Sequence, residues 1–126
     1  MTIAEVSKKY ELSADTLRYY ERIGLVPPVP RNKSGIRDYD TESCQWVELM
    51  KCMRSAGVQI EALIEYVALF QQGDDTITTR KQILIDQRDE LEKKIEEMQG
   101  TLTYLNTKLE HYEDMMVPKE RKLAEE

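Results

Sequence analysis

Thr16, Arg18, Tyr19 and Arg22 stand together in one short stretch of this 126-residue chain. An arginine can bridge guanine O6 and N7 or grip a phosphate. A tyrosine hydroxyl can donate to phosphate oxygens. A second set of cations, Arg31, Lys33 and Arg37, follows within twenty residues. Together they have the chemistry of a nucleic-acid contact. The other reactive groups are two thiols, Cys44 and Cys52. Cys52 lies in Lys51-Cys52-Met53-Arg54, and flanking cations suit a reactive thiolate, with Glu48 one turn earlier acting in the opposite sense. Eight residues of helix would put the two Cα atoms about 12 Å apart. A disulfide needs less than about 7 Å, so the two thiols neither pair within one chain nor share a metal ion.

These groups need elements to position them. Thr2 starts a first short helix, with Glu5 three residues on completing a capping box. Ile3, Val6 and Tyr10 give it helical apolar spacing. Ser13 caps a second helix from Ala14 to Ile23, ended by Gly24. Only Glu11-Leu12-Ser13 separates the two, so they must cross, pinned by Val6, Leu12 and Leu17. That is helix-turn-helix geometry, with the polar face of the second helix free for a major groove. Neighbouring helical residues point about 100° apart, so one of Tyr19 and Tyr20 is expected in the core.

Prolines at 27, 28 and 30 forbid helix in the next segment. Asn32 to Gly35 is turn chemistry between short extended arms. The reading is a basic hairpin, or wing, carrying Arg31, Lys33 and Arg37. Asp40 caps a third helix, Thr41 to Ser55, with Trp46, Leu49/Met50 and Met53 as its buried stripe and Gly57 as its stop. A fourth helix, Ile60 to Gln72, buries Leu63, Ile64, Val67 and Phe70, and Gly73 ends it.

The last segment carries a heptad pattern. Leu84, Leu91, Met98, Leu105 and Tyr112 recur every seven residues, and Ile95, Leu102, Leu109 and Met116 alternate with them. These are d and a positions of a coiled-coil seam, with Arg88 the one departure at a. The seam runs about five heptads, or about 54 Å. An apolar stripe of that length is a liability in water, so self-association is expected. Pro118 is expected to stop the helix and leave 118–126 as a frayed tail. The expected organisation is a mainly α chain: a winged helix-turn-helix head over 1–72, a dimerising coiled-coil helix over 74–117, and that tail.

Composition supports this division and excludes other classes. The formal net charge is −6, which argues at first against nucleic acid. The charge is uneven. Residues 8–37 hold seven Lys/Arg and three acids, whereas residues 71–126 hold nine basic and fourteen acidic residues. Phosphates near the head feel its local positive field, not the average. No run of 18 apolar residues spans a membrane, and the first residues do not read as a secretory signal. Two Cys and one His are thin stock for a metal site, so no metal or cofactor is expected, and the setting is expected to be cytoplasmic. There is no Gly-rich phosphate loop, no H-E-x-x-H and no nucleophile elbow, so no enzyme is expected. His111, between Glu110 and Tyr112, reads as a solvated coil residue. A coiled-coil adaptor whose head binds protein is the alternative from a different class.

Thr16-Leu17-Arg18-Tyr19-Tyr20-Glu21-Arg22-Ile23-Gly24-Leu25, then Pro, Arg31 and Gly35-Ile36-Arg37-Asp38-Tyr39, resembles the signature of the MerR family of bacterial transcription regulators. The match covers about residues 1–72, and the long last helix fits that family's dimerisation coil. Ile36 departs from the family's usual Tyr. The resemblance implies an antiparallel coiled-coil homodimer on a promoter whose −35 and −10 elements are too far apart. The activated dimer bends and untwists that DNA for RNA polymerase, a deformation costing on the order of 1–6 kcal/mol. By motif position, Thr16, Arg18, Tyr19 and Tyr20 would lie at the major groove. Arg31, Lys33 and Arg37 would clamp the backbone, and Lys51 would add a further phosphate contact. The dimer interface would be Leu84, Leu91, Ile95, Met98, Leu102, Leu105, Leu109 and Tyr112.

Metal-sensing members of that family carry Cys around the start of, and beyond, the coil, iron–sulfur members need four C-terminal Cys, and drug sensors carry a separate ligand domain. None of these features is in this sequence. Gly-Ile-Arg-Asp-Tyr in the wing and Lys-Cys-Met-Arg in the third helix resemble the NmlR/AdhR branch, which answers aldehydes, other electrophiles or nitrosative stress. That resemblance implies Cys52 as the sensor thiol. A regulator answering another small molecule or a metal is the alternative within the family.

Overall fold

Local capping chemistry starts three of the head's four helices where the sequence sets it. The structure is a computed structural model and describes residues 1–125. Thr2 accepts the Glu5 N–H while the Glu5 carboxylate accepts the Thr2 N–H, and α1 runs Ile3–Tyr10. Ser13 Oγ accepts the Thr16 N–H at 3.0 Å and α2 runs Ala14–Arg22. Asp40 accepts the Ser43 N–H at 2.8 Å and α3 runs Thr41–Ser55. Each cap satisfies an amide that has no partner inside the helix. A fourth helix, α4, spans Ile60–Gln72 without a side-chain cap. A 3₁₀ turn at Asp74–Thr76 leads into the long α5, Ile77–Glu110.

The chain divides into two units, Met1–Arg88 and the residues from Asp89 onward. In the first, the turn between α1 and α2 is closed by Glu11 in the left-handed region (φ 55°) and by the Leu12 N–H on the Ser7 carbonyl. Val6 and Leu17 are fully buried where the two helices meet, with Leu12 beside them. The proline-rich segment is itself part of the core. Leu25, Val26 and Val29 are buried, and the Leu25 N–H bonds the Tyr20 carbonyl at 2.8 Å. α3 buries Cys44, Val47 and Met50, with Trp46, Leu49 and Met53 only partly covered. α4 buries Leu63 and Val67, and its Phe70 meets Trp46 edge-on at 4.9 Å between ring centroids.

The wing is one antiparallel bridge, Arg31 to Arg37, with no longer strand among the described residues. Asn32 organises its turn. Its N–H donates to the Ile36 carbonyl at 2.8 Å, and its Oδ1 accepts the N–H groups of Ser34 and Ile36. Gly35 has φ +77°, a conformation that side chains resist, and it lets the turn close.

In the second unit the chain departs from expectation after Glu110. A π turn occupies Tyr112–Met116, and Val117–Glu125 form a helix, α6, instead of a frayed tail. Pro118 is the second residue of α6. The first-turn amides of a helix have no intrahelical partner, so a proline there starts a helix without loss. His111 precedes the π turn and is exposed. No helix among the described residues is long and apolar enough to cross a membrane.

Candidate nucleic-acid interface

The exposed face of α2 carries Arg18, Tyr19 and Arg22. The Arg18 side chain, about half exposed, holds the carboxylate of Asp15 one turn away at 2.8 Å. The Arg22 guanidinium lies 5.3 Å from the centre of the Tyr19 ring, a cation–π spacing that orients both side chains. Thr16 stands half-buried at the start of the helix, its hydroxyl 2.8 Å from the capping Ser13 Oγ.

Tyr20 does not share this face. Its ring is 8% exposed and belongs to the core, whereas Tyr19 is 42% exposed. The placement of Tyr20 at the major groove is therefore corrected. The 100° step between adjacent helical residues sends one ring inward, and Tyr20 joins the buried cluster that includes Leu17 and Leu25.

The wing is fastened to α2 through one carboxylate. Arg37 Nε donates to Glu21 Oε1 at 2.6 Å, and the Val29 N–H donates to Glu21 Oε2 at 2.7 Å. One arm of the hairpin, at Arg37, and the segment leading into the other, at Val29, are thus tied to the same helical residue. Burial pushes the Glu21 carboxyl up, but the hydrogen bonds from Arg37 and Val29 outweigh it, and its pKa lies below the ordinary value. Arg37 thus commits its Nε–H to Glu21, with the side chain 22% exposed. In the sequence Glu21 stood out only as one of three acids in a basic stretch and as a member of the signature, with no partner assigned to it. Arg31 and Lys33 are exposed, and Arg31 also donates to the Gly35 carbonyl at 3.0 Å. Below the wing, Tyr39 is 1% exposed, and its hydroxyl has no hydrogen-bond partner. Burial pushes this phenol above its ordinary pKa.

Both cysteines lie on α3 as free thiols. Cys44 is buried with its Sγ 3.8 Å from the Met1 sulfur, and Cys52 is exposed. Of the residues flanking Cys52, Lys51 is half-buried, and Arg54 reaches forward to donate to the Val58 carbonyl at 2.7 Å. No group of three or more His, Cys, Asp or Glu suited to a metal occurs among the described residues.

On α5 the heptad positions are uneven. Leu84, in the first unit, and Leu91, in the second, are partly covered. Ile95, Met98, Leu102, Leu105, Leu109 and Tyr112 are exposed, Met98 to 69%.

The sequence profile described as MerR HTH family regulatory protein matches residues 1–69. The chain is 60% identical over 91 residues to the HTH-type transcriptional regulator AdhR of Bacillus subtilis, a match covering 72% of this chain and 65% of that one. The matched region therefore spans just under two thirds of that relative. Among solved structures, a MerR family transcriptional regulator from Listeria monocytogenes superposes with a TM-score of 0.87 at 44% identity, covering 99% of this chain and 95% of that one. HiNmlR, described as a MerR family regulator lacking the sensor domain and bound to promoter DNA, superposes with a TM-score of 0.82 at 30% identity, covering 92% of each chain.

Proposed function

Because the chain belongs to the MerR family of helix-turn-helix transcription regulators, we propose that it binds as a homodimer to an over-spaced promoter and remodels it for RNA polymerase when Cys52 reacts with an aldehyde or another electrophile. The observation that carries the DNA half of this reading is the Glu21 tie. It ties the wing to α2, and on this reading Arg18, Tyr19 and Arg22 on the helix act together with Arg31 and Lys33 on the hairpin in contacting DNA. Thr16 adds a hydroxyl at the mouth of the helix, and Lys51 is a further phosphate contact from α3. Pre-set donors lose little conformational entropy on binding, which helps to offset the cost of bending the duplex.

Dimerisation gives the head its second copy. The exposed apolar positions Ile95, Met98, Leu102, Leu105 and Leu109 recur at heptad spacing along α5. Covering them with the same stripe of a second chain removes them from water. Leu84, Leu91 and Tyr112 extend the interface in sequence.

The sensing half rests on access. Cys52 is exposed where Cys44 is buried, so a reagent in solution reaches the first without opening the core. With formaldehyde, the thiolate sulfur attacks the carbonyl carbon, a C–S bond forms, and the former carbonyl oxygen takes a proton. The S-hydroxymethyl adduct adds bulk and a polar group to α3. A local change of this kind biases a two-state element when it favours one arrangement of the heads. The similarity to AdhR supports this branch.

The test compares the native chain with Cys52→Ala on duplex DNA from immediately upstream of its coding sequence, and then in a reporter strain. Both proteins are expected to bind, with affinity falling steeply as salt rises, and only the native chain is expected to induce with formaldehyde or methylglyoxal. Full induction in Cys52→Ala removes the thiol mechanism and leaves a regulator of another signal. Absence of DNA binding at low salt removes the promoter reading in favour of an adaptor.

A further inference from the structure

Three aromatic side chains from α3 and α4 meet in the head. The Trp46 ring lies 6.0 Å from Tyr66 and 4.9 Å from Phe70, centroid to centroid. Tyr66 and Phe70 stand one turn apart on α4. They tilt 58° and 60° from the indole plane, so neither lies flat over it. All three are only partly covered. With Leu49 they line an open cavity of about 250 Å³. Glu42 and Gln45 complete its lining, both exposed and both on the helix that carries Trp46. Glu42 is one turn before Trp46, and its carboxylate has no hydrogen bond or ion pair among the described residues. No cation among those residues lines the cavity.

The π faces of indole, phenol and phenyl rings are negative, and they attract a cation within about 6 Å of the ring centre. Phe70 already does so: the Arg80 guanidinium lies 5.5 Å from its centre, although Arg80 is not part of the cavity lining. An unpaired carboxylate beside the rings adds attraction of the same sign. A neutral apolar ligand would leave that carboxylate unmatched. A bare ammonium group is strongly hydrated, so a methylated one gives up water to aromatic faces at lower cost. The volume lies just below the roughly 300–1,000 Å³ of drug-sized sites, which suits a headgroup more than a large molecule. We propose that Trp46, Tyr66, Phe70 and Glu42 form a binding site for a small organic cation of the quaternary-ammonium class. The site uses neither Cys52 nor the DNA-facing residues of α2 and the wing, so it stands apart from the function proposed above. Phe70 connects it to α5. Arg80, over the Phe70 ring, donates from Nε to Thr76 Oγ1 at 3.0 Å, and Thr76 is buried in the turn that joins α4 to α5. An occupant touching Phe70 is therefore one side chain from the first turn of the coil helix.

Trp46 is the one tryptophan of the chain, so its fluorescence reads the site directly. The test titrates the full-length protein with choline at constant ionic strength. The control ligand is dimethylbutanol, which has the same shape with carbon in place of the charged nitrogen. Choline is expected to change the Trp46 emission saturably, and dimethylbutanol to bind at least about tenfold more weakly. Melting curves establish that the variants Glu42→Gln and Tyr66→Leu fold. Glu42→Gln, at an exposed position, is expected to weaken choline about two- to fivefold, as for a solvated charge pair, and to leave dimethylbutanol unchanged. Tyr66→Leu is expected to weaken choline about three- to tenfold. Absence of a saturable response overturns the proposal, as does equal binding of choline and dimethylbutanol. A choline response that both variants keep in full places the cation elsewhere and also overturns it. So does a response confined to a chain carrying Leu102→Glu and Leu105→Glu, which would make the cavity a contact between two copies. None of these outcomes bears on DNA binding or on Cys52.

Discussion

Glu21 on α2 and Arg37 on the wing meet at 2.6 Å, and the second oxygen of the same carboxylate holds the Val29 N–H. One acid among many cations thus ties the wing to α2. Glu21→Gln is expected to destabilise the head by about 1.5–3 kcal/mol, the usual range for hydrogen bonds to a charged group. The folded carboxyl titrates below its ordinary value of 4.5, so its contribution is fully present above about pH 4.5 and is lost as pH falls through the folded value. Glu5 and Asp40 are lowered as well, by their capping hydrogen bonds to Thr2 and Ser43, and act in the same direction. Denaturant unfolding across the acid range is expected to show a shallower acid slope in Glu21→Gln, with the capping part retained. An unchanged slope sinks the assignment.

The α5 stripe leads to a prediction about assembly. Leu102→Glu combined with Leu105→Glu puts two charges into adjoining seam positions. Sedimentation is expected to show a dimer for the native chain and a monomer for the double variant. Melting of the head is expected to stay close to native, because neither residue belongs to its core. A dimer that survives both charges argues for another interface.

Thiol chemistry separates the two cysteines. Iodoacetamide is expected to label Cys52 in the native protein and Cys44 only after unfolding, since one is exposed and the other buried beside Met1. Mass spectrometry of the digest reads the result. Equal native labelling of both would falsify the assignment of reagent access to Cys52 alone.

The face of α2 is tested by salt. Arg18→Gln is expected to lower affinity for upstream duplex and to reduce the slope of log K against log salt by about 0.9, the value for one released phosphate contact. A lower affinity with an unchanged slope would place Arg18 on a base edge instead.

Ser13→Ala removes the cap of α2, where Ser13 Oγ accepts the Thr16 N–H. A loss of about 1 kcal/mol in thermal or denaturant unfolding is expected. No measurable loss would mean that water satisfies that amide equally well.

Much of this protein is decided by neighbours in sequence. Thr2, Ser13 and Asp40 each satisfy an amide three residues on, and glycines at 24, 57 and 73 take positive φ where helices end. Such signals are local, acting over one helical turn, so the head's helices and the heptad seam could be read without a fold. What the tertiary structure alone decided involves residues far apart in the chain. Glu21 and Arg37 lie sixteen positions apart, and charge alone does not say which cation an acid will hold. Tyr19 and Tyr20 have the same side chain, and only the packed head determines that Tyr20 joins the buried cluster while Tyr19 stays exposed. Pro118 breaks a helix or begins one according to where the preceding turn ends, and a π turn at Tyr112–Met116 makes it a beginning. Local chemistry sets dihedral preference and periodicity within a turn or two; pairing and burial depend on which distant segments the finished fold brings into contact.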